Sequence, residues 1–217
     1  MLDRRLFLLG AMATVAGCSQ SAQHVRTHPL QVGKKSSFSA LYGARRNEKF
    51  PIPAVPKGKL KRKFQRQRVR YRTKEKPGTV IVDTRRFYLY HVERGGKAMR
   101  YGVGLGRAGF AWSGRAKIAW KRKWPTWTPP AEMIRRQPEL ARWGVDRGGM
   151  PPGLKNPLGA RALYIFQDGK DTLYRLHGTP EVSSIGRAVS SGCVRLVNQD
   201  IIDLYARVRP GSSIVVI

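Results

Sequence analysis

The sequence predicts a mainly β domain over residues 78–217, a compact β-barrel or sandwich with one or two short helices. Two observations carry this reading. Short runs rich in β-branched and aromatic residues recur between glycine-bearing turns from residue 78 onward. Helical apolar spacing is clear only near the end, at Ile201, Leu204, Tyr205 and Val208.

Val80, Ile81 and Val82 make the first strand and Phe87 to Val92 the second. Gly95 and Gly96 suit a hairpin turn, because glycine enters positive φ without a Cβ clash. Ala98 to Val103 returns as a third strand, after which Gly104, Gly106 and Gly109 punctuate a loop. Ala116 to Arg122 forms another. Prolines stiffen the aromatic segment that begins at Trp124, and Ala131 to Arg136 follows as a short helix. The glycine- and proline-rich stretch 148–158 is a long loop and a candidate lid. Ala162 to Phe166 and Thr172 to Leu176 pair across Gly169, which brings His177 to a strand end. Asn198 is placed to cap a helix through Arg207, and Ser213 to Ile217 is the last strand.

Residues 1–18 read as an export signal. Arg4 and Arg5 precede an apolar run too short to span a bilayer as a mature helix. The pair resembles a twin-arginine signal, and Val15-Ala16-Gly17-Cys18 resembles a bacterial lipobox, whose cysteine receives lipid. The chain is therefore expected in the periplasm, anchored to a membrane through Cys18. Ser19 after the cysteine favours the outer membrane by resemblance to enterobacterial lipoproteins. An ordinary signal peptide with an incidental Cys18 is the plainer alternative.

The net charge is +29. Residues 19–77 hold 17 Lys/Arg against 2 Asp/Glu, and residues 78–217 hold 23 against 10. Residues 19–50 read as a flexible tether. Residues 51–77 read as an extended basic arm, in which Pro51, Pro53 and Pro56 forbid helix. Export removes nucleic acid as a partner. Periplasmic polyanions remain, beside the simpler reading of a self-repelling solvated linker.

After loss of a lipidated Cys18, Cys193 is the chain's one remaining thiol. It stands 16 positions after His177, behind Ser190, Ser191 and Gly192. A thiol attacks carbonyls as thiolate, and a neighbouring imidazole can take its proton. His91, mid-strand in an aromatic run, reads as packed. Gly192 leaves backbone N–H groups accessible to a developing oxyanion. Gly178 lets a backbone carbonyl orient the His177 ring. Arg195 suits a substrate carboxylate or an ordinary ion pair. Trp127 and Tyr174 are candidate substrate contacts, with core or groove packing as the plainer account of each. From these residues alone Cys193 is either a nucleophile or a buried structural thiol. Two domain histidines and one thiol do not make a zinc site, and no cofactor is expected.

The string His177-Gly178 … Ser190-Ser191-Gly192-Cys193-Val194-Arg195-Leu196 resembles the signature of the L,D-transpeptidase catalytic domain family, of YkuD or ErfK/YbiS/YcfS/YnhG type. The resemblance covers about 78–217 and includes the block from Asn156 to Leu163. Ser191 departs from the family's usual histidine, though some members carry serine there, and residues 112–118 match only loosely.

The resemblance implies a cysteine acyl transfer on peptidoglycan. Cys193 attacks the carbonyl at the L-centre of diaminopimelate in a tetrapeptide stem, and D-alanine leaves with a proton from His177. The N–H groups of Gly192 and Cys193, with Ser191, hold the oxyanion. The acceptor is a diaminopimelate amine, an amine of an outer-membrane protein, or water, which would make a carboxypeptidase or endopeptidase. The rival from another class is a non-catalytic wall-binding lipoprotein with an inert Cys193.

Overall fold

A computed structural model describes residues 28–29, 36–106, 113–190 and 193–217. The signal, Cys18, Ser191 and Gly192 lie outside the described residues. Among the described residues, twelve strands and three α-helices follow in chain order. The first part holds β1 (His28–Pro29), α1 (Phe38–Tyr42), β2 (Gln67–Arg70), β3 (Val80–Asp83), β4 (Tyr88–Glu93), β5 (Lys97–Gly102) and β6 (Gly104–Gly106). Then come β7 (Gly114–Lys123), α2 (Ala131–Arg136), β8 (Arg161–Gln167), β9 (Lys170–Thr179), β10 (Ala188–Ser190), β11 (Val194–Val197), α3 (Asn198–Arg207) and β12 (Ser213–Val216).

The strands form one sheet in the order β1-β2-β5-β4-β3-β12-β7-β8-β9-β11-β6-β10. The mainly β reading holds, but the sheet does not close: β1 and β10 end it. It curves instead around a core to which β3 to β9, β11, β12 and α3 all contribute, with Leu89, Ile118, Leu163, Leu176, Leu196 and Leu204 at its centre. The terminal strand β12 pairs parallel to β3 and antiparallel to β7, and so joins the two halves of the sheet.

The expected strands and both helices form close to their predicted bounds. The short strands β2, β6, β10 and β11 were not anticipated. Asn198 does not cap α3. It is the helix's first residue, and its Oδ1 accepts the Ala160 N–H at 2.9 Å. Of the expected tether the structure describes residues 28–29 and 36–50, and the latter are folded onto the domain. Tyr42 is fully buried, and Ile52, Val55, Leu60 and Phe64 of the arm are buried with it. These side chains are scattered among prolines and lysines, so no period announced them.

Candidate active site

Strands β9 and β11 run parallel, with His177 opposite Arg195 and Leu176 opposite Val194. On the other side His177 faces Ala162 and Arg175 faces Tyr164 of β8. Leu163, Leu176, Val194 and Leu196 belong to the core. Alternation therefore sends Tyr164, Arg175, His177 and Arg195 to the opposite face of the sheet. Cys193 stands one residue before β11, level with Arg175, and parity puts its side chain on that face too. Its carbonyl accepts the Gly106 N–H at 3.2 Å, which ties the cysteine to β6.

Although it lies away from the core, His177 is only 4% exposed. The Pro157 carbonyl, in the loop before β8, lies against it. Asn156, fully buried, donates from Nδ2 to the carbonyls of Pro125, Met150 and Pro151 at 3.1–3.2 Å and accepts the Leu158 N–H at 2.9 Å. One amide side chain near the end of the candidate lid thus ties it back to its own start and to Pro125. On the core side, a Cβ at Gly178 would strike Asn198 Oδ1. Glycine lets α3 approach the strand closely there.

His177 Nδ1 lies 2.6 Å from the Gly178 carbonyl oxygen. A carbonyl only accepts, so Nδ1 carries the proton and Nε2 is the basic nitrogen of the neutral ring. Burial drives the His177 pKa down to about 4, against the pull of the Gly178 and Pro157 carbonyls and with help from Arg195 and Arg175. Burial also pushes the Cys193 thiol up, while the Arg175 backbone N–H and the two guanidinium groups pull it back. Both effects favour uncharged forms. These directions favour a neutral imidazole beside a protonated thiol over a standing ion pair.

Arg195 Nη1 meets Glu181 Oε2 at 3.3 Å, while its Nε is buried without a hydrogen-bond partner among the described residues. Arg175, which the sequence reading passed over, is fixed more firmly. Its guanidinium donates to both Asp171 oxygens at 2.6 and 2.8 Å and stacks 4.4 Å from the Tyr164 ring centroid. Trp127 is half-buried, and its backbone bridges to Met150 at 3.0 and 2.7 Å. Tyr174 packs against the main core. It stands three residues from His177 on β9 and so faces the other way, in keeping with packing, the plainer account of it. No group of three or more His, Cys, Asp or Glu among the described residues could hold a metal ion.

Residues 77–217 match the family model of the YkuD L,D-transpeptidase catalytic domain. A protein described as the probable L,D-transpeptidase YcfS of Escherichia coli is 32% identical over 143 residues, 64% of this chain and 43% of that protein. The probable L,D-transpeptidase ErfK/SrfK of Salmonella typhimurium is 34% identical over 142 residues, again 64% and 43%. The chain thus matches about two fifths of the length of these curated relatives. A solved structure from Brucella melitensis is 43% identical with a TM-score of 0.50, and the match covers 75% of this chain and 96% of that one. It is described as a probable carnitine operon oxidoreductase, a description that belongs to that protein. The match of the family model to 77–217, with His177, Gly178, Cys193 and Arg195 inside it, decides the assignment: the chain belongs to the L,D-transpeptidase catalytic domain family.

Proposed function

We propose that this protein is a peptidoglycan L,D-transpeptidase in which Cys193 is the nucleophile and His177 the general base and acid. The observation that carries the proposal is the His177 ring. It is buried, held through Nδ1 by the Gly178 carbonyl, and shares one sheet face with Cys193. That arrangement leaves Nε2 to take a proton.

The neutral pair sets the order of events. Nε2 takes the thiol proton as sulfur attacks the carbonyl carbon of the diaminopimelate L-centre. The imidazolium then gives that proton to the departing D-alanine amine as the C–N bond breaks, and a thioester remains. An acceptor amine attacks the thioester, losing its proton to His177, and the sulfur leaves and is reprotonated. The Cys193 and Gly192 N–H groups, with Ser191, are expected to hold the oxyanion. Arg195 offers its buried Nε and its Nη1 to a substrate carboxylate, at the expense of the Glu181 contact. The acceptor is a diaminopimelate side-chain amine or an amine of an outer-membrane protein, with water as the hydrolytic alternative. The enzyme would work in the periplasm, carried on a lipidated Cys18.

The test is incubation of the soluble chain from residue 19, without the lipid anchor, with tetrapeptide muropeptides, read by mass spectrometry. A dimer lacking one D-alanine, absent with Cys193→Ala, is the expected product. Tripeptide without dimer would indicate water as acceptor. No D-alanine release by the folded chain would overturn the reading. The acid limb of kcat/KM should fall near pH 4, because the base fails only when His177 is protonated. Alkylation of Cys193 should keep rising through the ordinary thiol range near pH 8.5. An acid limb near 6.5 would mean an ordinary imidazole that burial does not perturb, and a reactive thiolate already at pH 6 would mean a standing ion pair instead.

A further inference from the structure

The face that carries His177 also carries a row of side chains running away from Cys193 across three strands. Arg175 stands level with Cys193, Tyr164 opposite Arg175, and Trp120 opposite Tyr164. The Trp120 and Tyr164 rings stack with centroids 3.5 Å apart and planes 11° from parallel. The Arg175 guanidinium covers the other side of Tyr164, and Asp171 locks it there. Tyr164 is 9% exposed, but Trp120 is 37% exposed. Strand β12, the far neighbour of β7, ends its ladder at Lys117, so no strand flanks the indole. A bulge between Ile118 and Trp120 turns the indole to this face. Arg122 leans over it at 5.4 Å.

A rigid stack whose outer indole is 37% exposed, with only the Arg122 side chain over it, is more than a cover for Tyr164, which Arg175 already shields. We infer that Trp120 is a platform for a sugar ring of the glycan strand that bears the donor stem. This rests on the proposed transpeptidase reading. Two features select the ligand. An aromatic face attracts the weakly positive C–H groups on one side of a pyranose ring. The spacing also fits. Three interstrand steps put Trp120 roughly 14 Å from Cys193. The stem from the attacked carbonyl back to the sugar is three residues, about 10–11 Å extended, lengthened by the γ-linkage of its glutamate. Arg122, beside the indole, suits that glutamate's free carboxylate.

The experiment compares the disaccharide tetrapeptide with the same tetrapeptide freed of sugar. D-alanine release is measured for the same soluble chain, Trp120→Ala and Trp120→Phe. Trp120→Ala is expected to lower kcat/KM for the sugar-bearing donor by about tenfold more than for the bare peptide, chiefly through KM. Trp120→Phe should restore most of the difference. Equal losses on the two donors, or none, would overturn the platform. Calorimetric titration of the two ligands into Cys193→Ala, with and without Trp120→Ala, removes the dependence on turnover. If the wild-type chain releases no D-alanine yet binds the sugar-bearing ligand more tightly through Trp120, the transpeptidase reading fails and the platform stands. Equal affinities for both ligands would sink the platform alone.

Discussion

The described end of the expected tether together with the arm, residues 36–77 and hereafter the arm, and the domain that follows are held by different physics. In the domain, period-2 strands bury one face continuously, and the backbone ladder does most of the ordering. The arm has little ladder beyond β2. Single large side chains and a few buried charges fasten it. Phe64 sits between Gly102 of β5 and Gly186, where a Cβ on either glycine would strike it. Arg66 Nη1 lies 3.5 Å from both Asp200 and Asp203 of α3, and the Tyr42 hydroxyl donates to Asp200 at 3.2 Å. Glu48 takes two hydrogen bonds from Arg161, at 2.6 and 2.9 Å, and one from the Trp124 indole at 2.9 Å. Gly186 belongs to the loop between His177 and Cys193, and Arg161 opens β8 beside the pinned lid. The arm therefore braces the site from behind, although the family match begins only at residue 77.

Phe64→Ala should break this most severely. Deleting a buried phenylalanine costs about 3–5 kcal/mol, and the cavity would open beneath the loop that leads to Cys193. Denaturant unfolding should show a lower midpoint in one transition. If the arm melted first and the domain kept its midpoint, the arm would be an appendage and not a brace. Next comes Arg66→Leu. Removing one partner of a buried ion pair costs about 3–5 kcal/mol, because the remaining charge is uncompensated. The lower end applies here, since Asp203 keeps its 2.7 Å contact with Arg207. Adding Asp200→Asn to Arg66→Leu should recover part of the loss. No recovery would mean that Arg66 acts through packing alone.

The contrast explains what was legible in the sequence. Strands such as β4, β8 and β9 could be read because alternation and glycine turns repeat locally. The arm could not, because Tyr42, Ile52, Val55, Leu60 and Phe64 find their partners far along the chain. Its lysines and arginines advertised a solvated tether, yet Arg66 is buried against α3. In the site, His177 and Cys193 stood out because their chemistry is rare and their spacing characteristic. Arg175 did not, since an arginine beside a tyrosine in a strand reads as surface. Only the register with β8 and its level with Cys193 give it meaning. For Tyr174, parity along β9 points toward the core, which favours packing over substrate contact.

A smaller effect tests the Glu48 anchor. Glu48→Gln should cost about 1–3 kcal/mol, the range for losing charge-assisted hydrogen bonds to a buried guanidinium. Burial pushes the Glu48 carboxyl up, but Arg161 and Trp124 outweigh it and hold the pKa below the usual carboxylate value. Its contribution should therefore be complete above the carboxylate range and fade in acid. A loss of stability in Glu48→Gln that is just as large at pH 3 would mean that shape, and not charge, anchors this end of the arm.

The finest distinction concerns the charge of Asp200 itself. Burial, the largest influence, pushes its pKa from 3.8 up to about 7, with Asp203 adding to the rise and Arg66, Tyr42 and Arg45 opposing it. A carboxyl raised in the folded state keeps a proton that the unfolded chain has lost. Its contribution to stability is therefore largest in acid, declines as pH rises from about 4 to about 7, and then levels. The slope from one such group is at most about 1.4 kcal/mol per pH unit. His177 works in the opposite sense. Its depressed pKa makes the folded state gain stability as pH rises from about 4 to 6.5, so the raw pH profile mixes the two. Subtracting the profile of Asp200→Asn from that of the parent isolates the aspartate. The difference should move against the parent between pH 5 and 7 and then flatten. A difference independent of pH would mean that Arg66 holds Asp200 ionised throughout, and that a plain ion pair fastens the arm to α3.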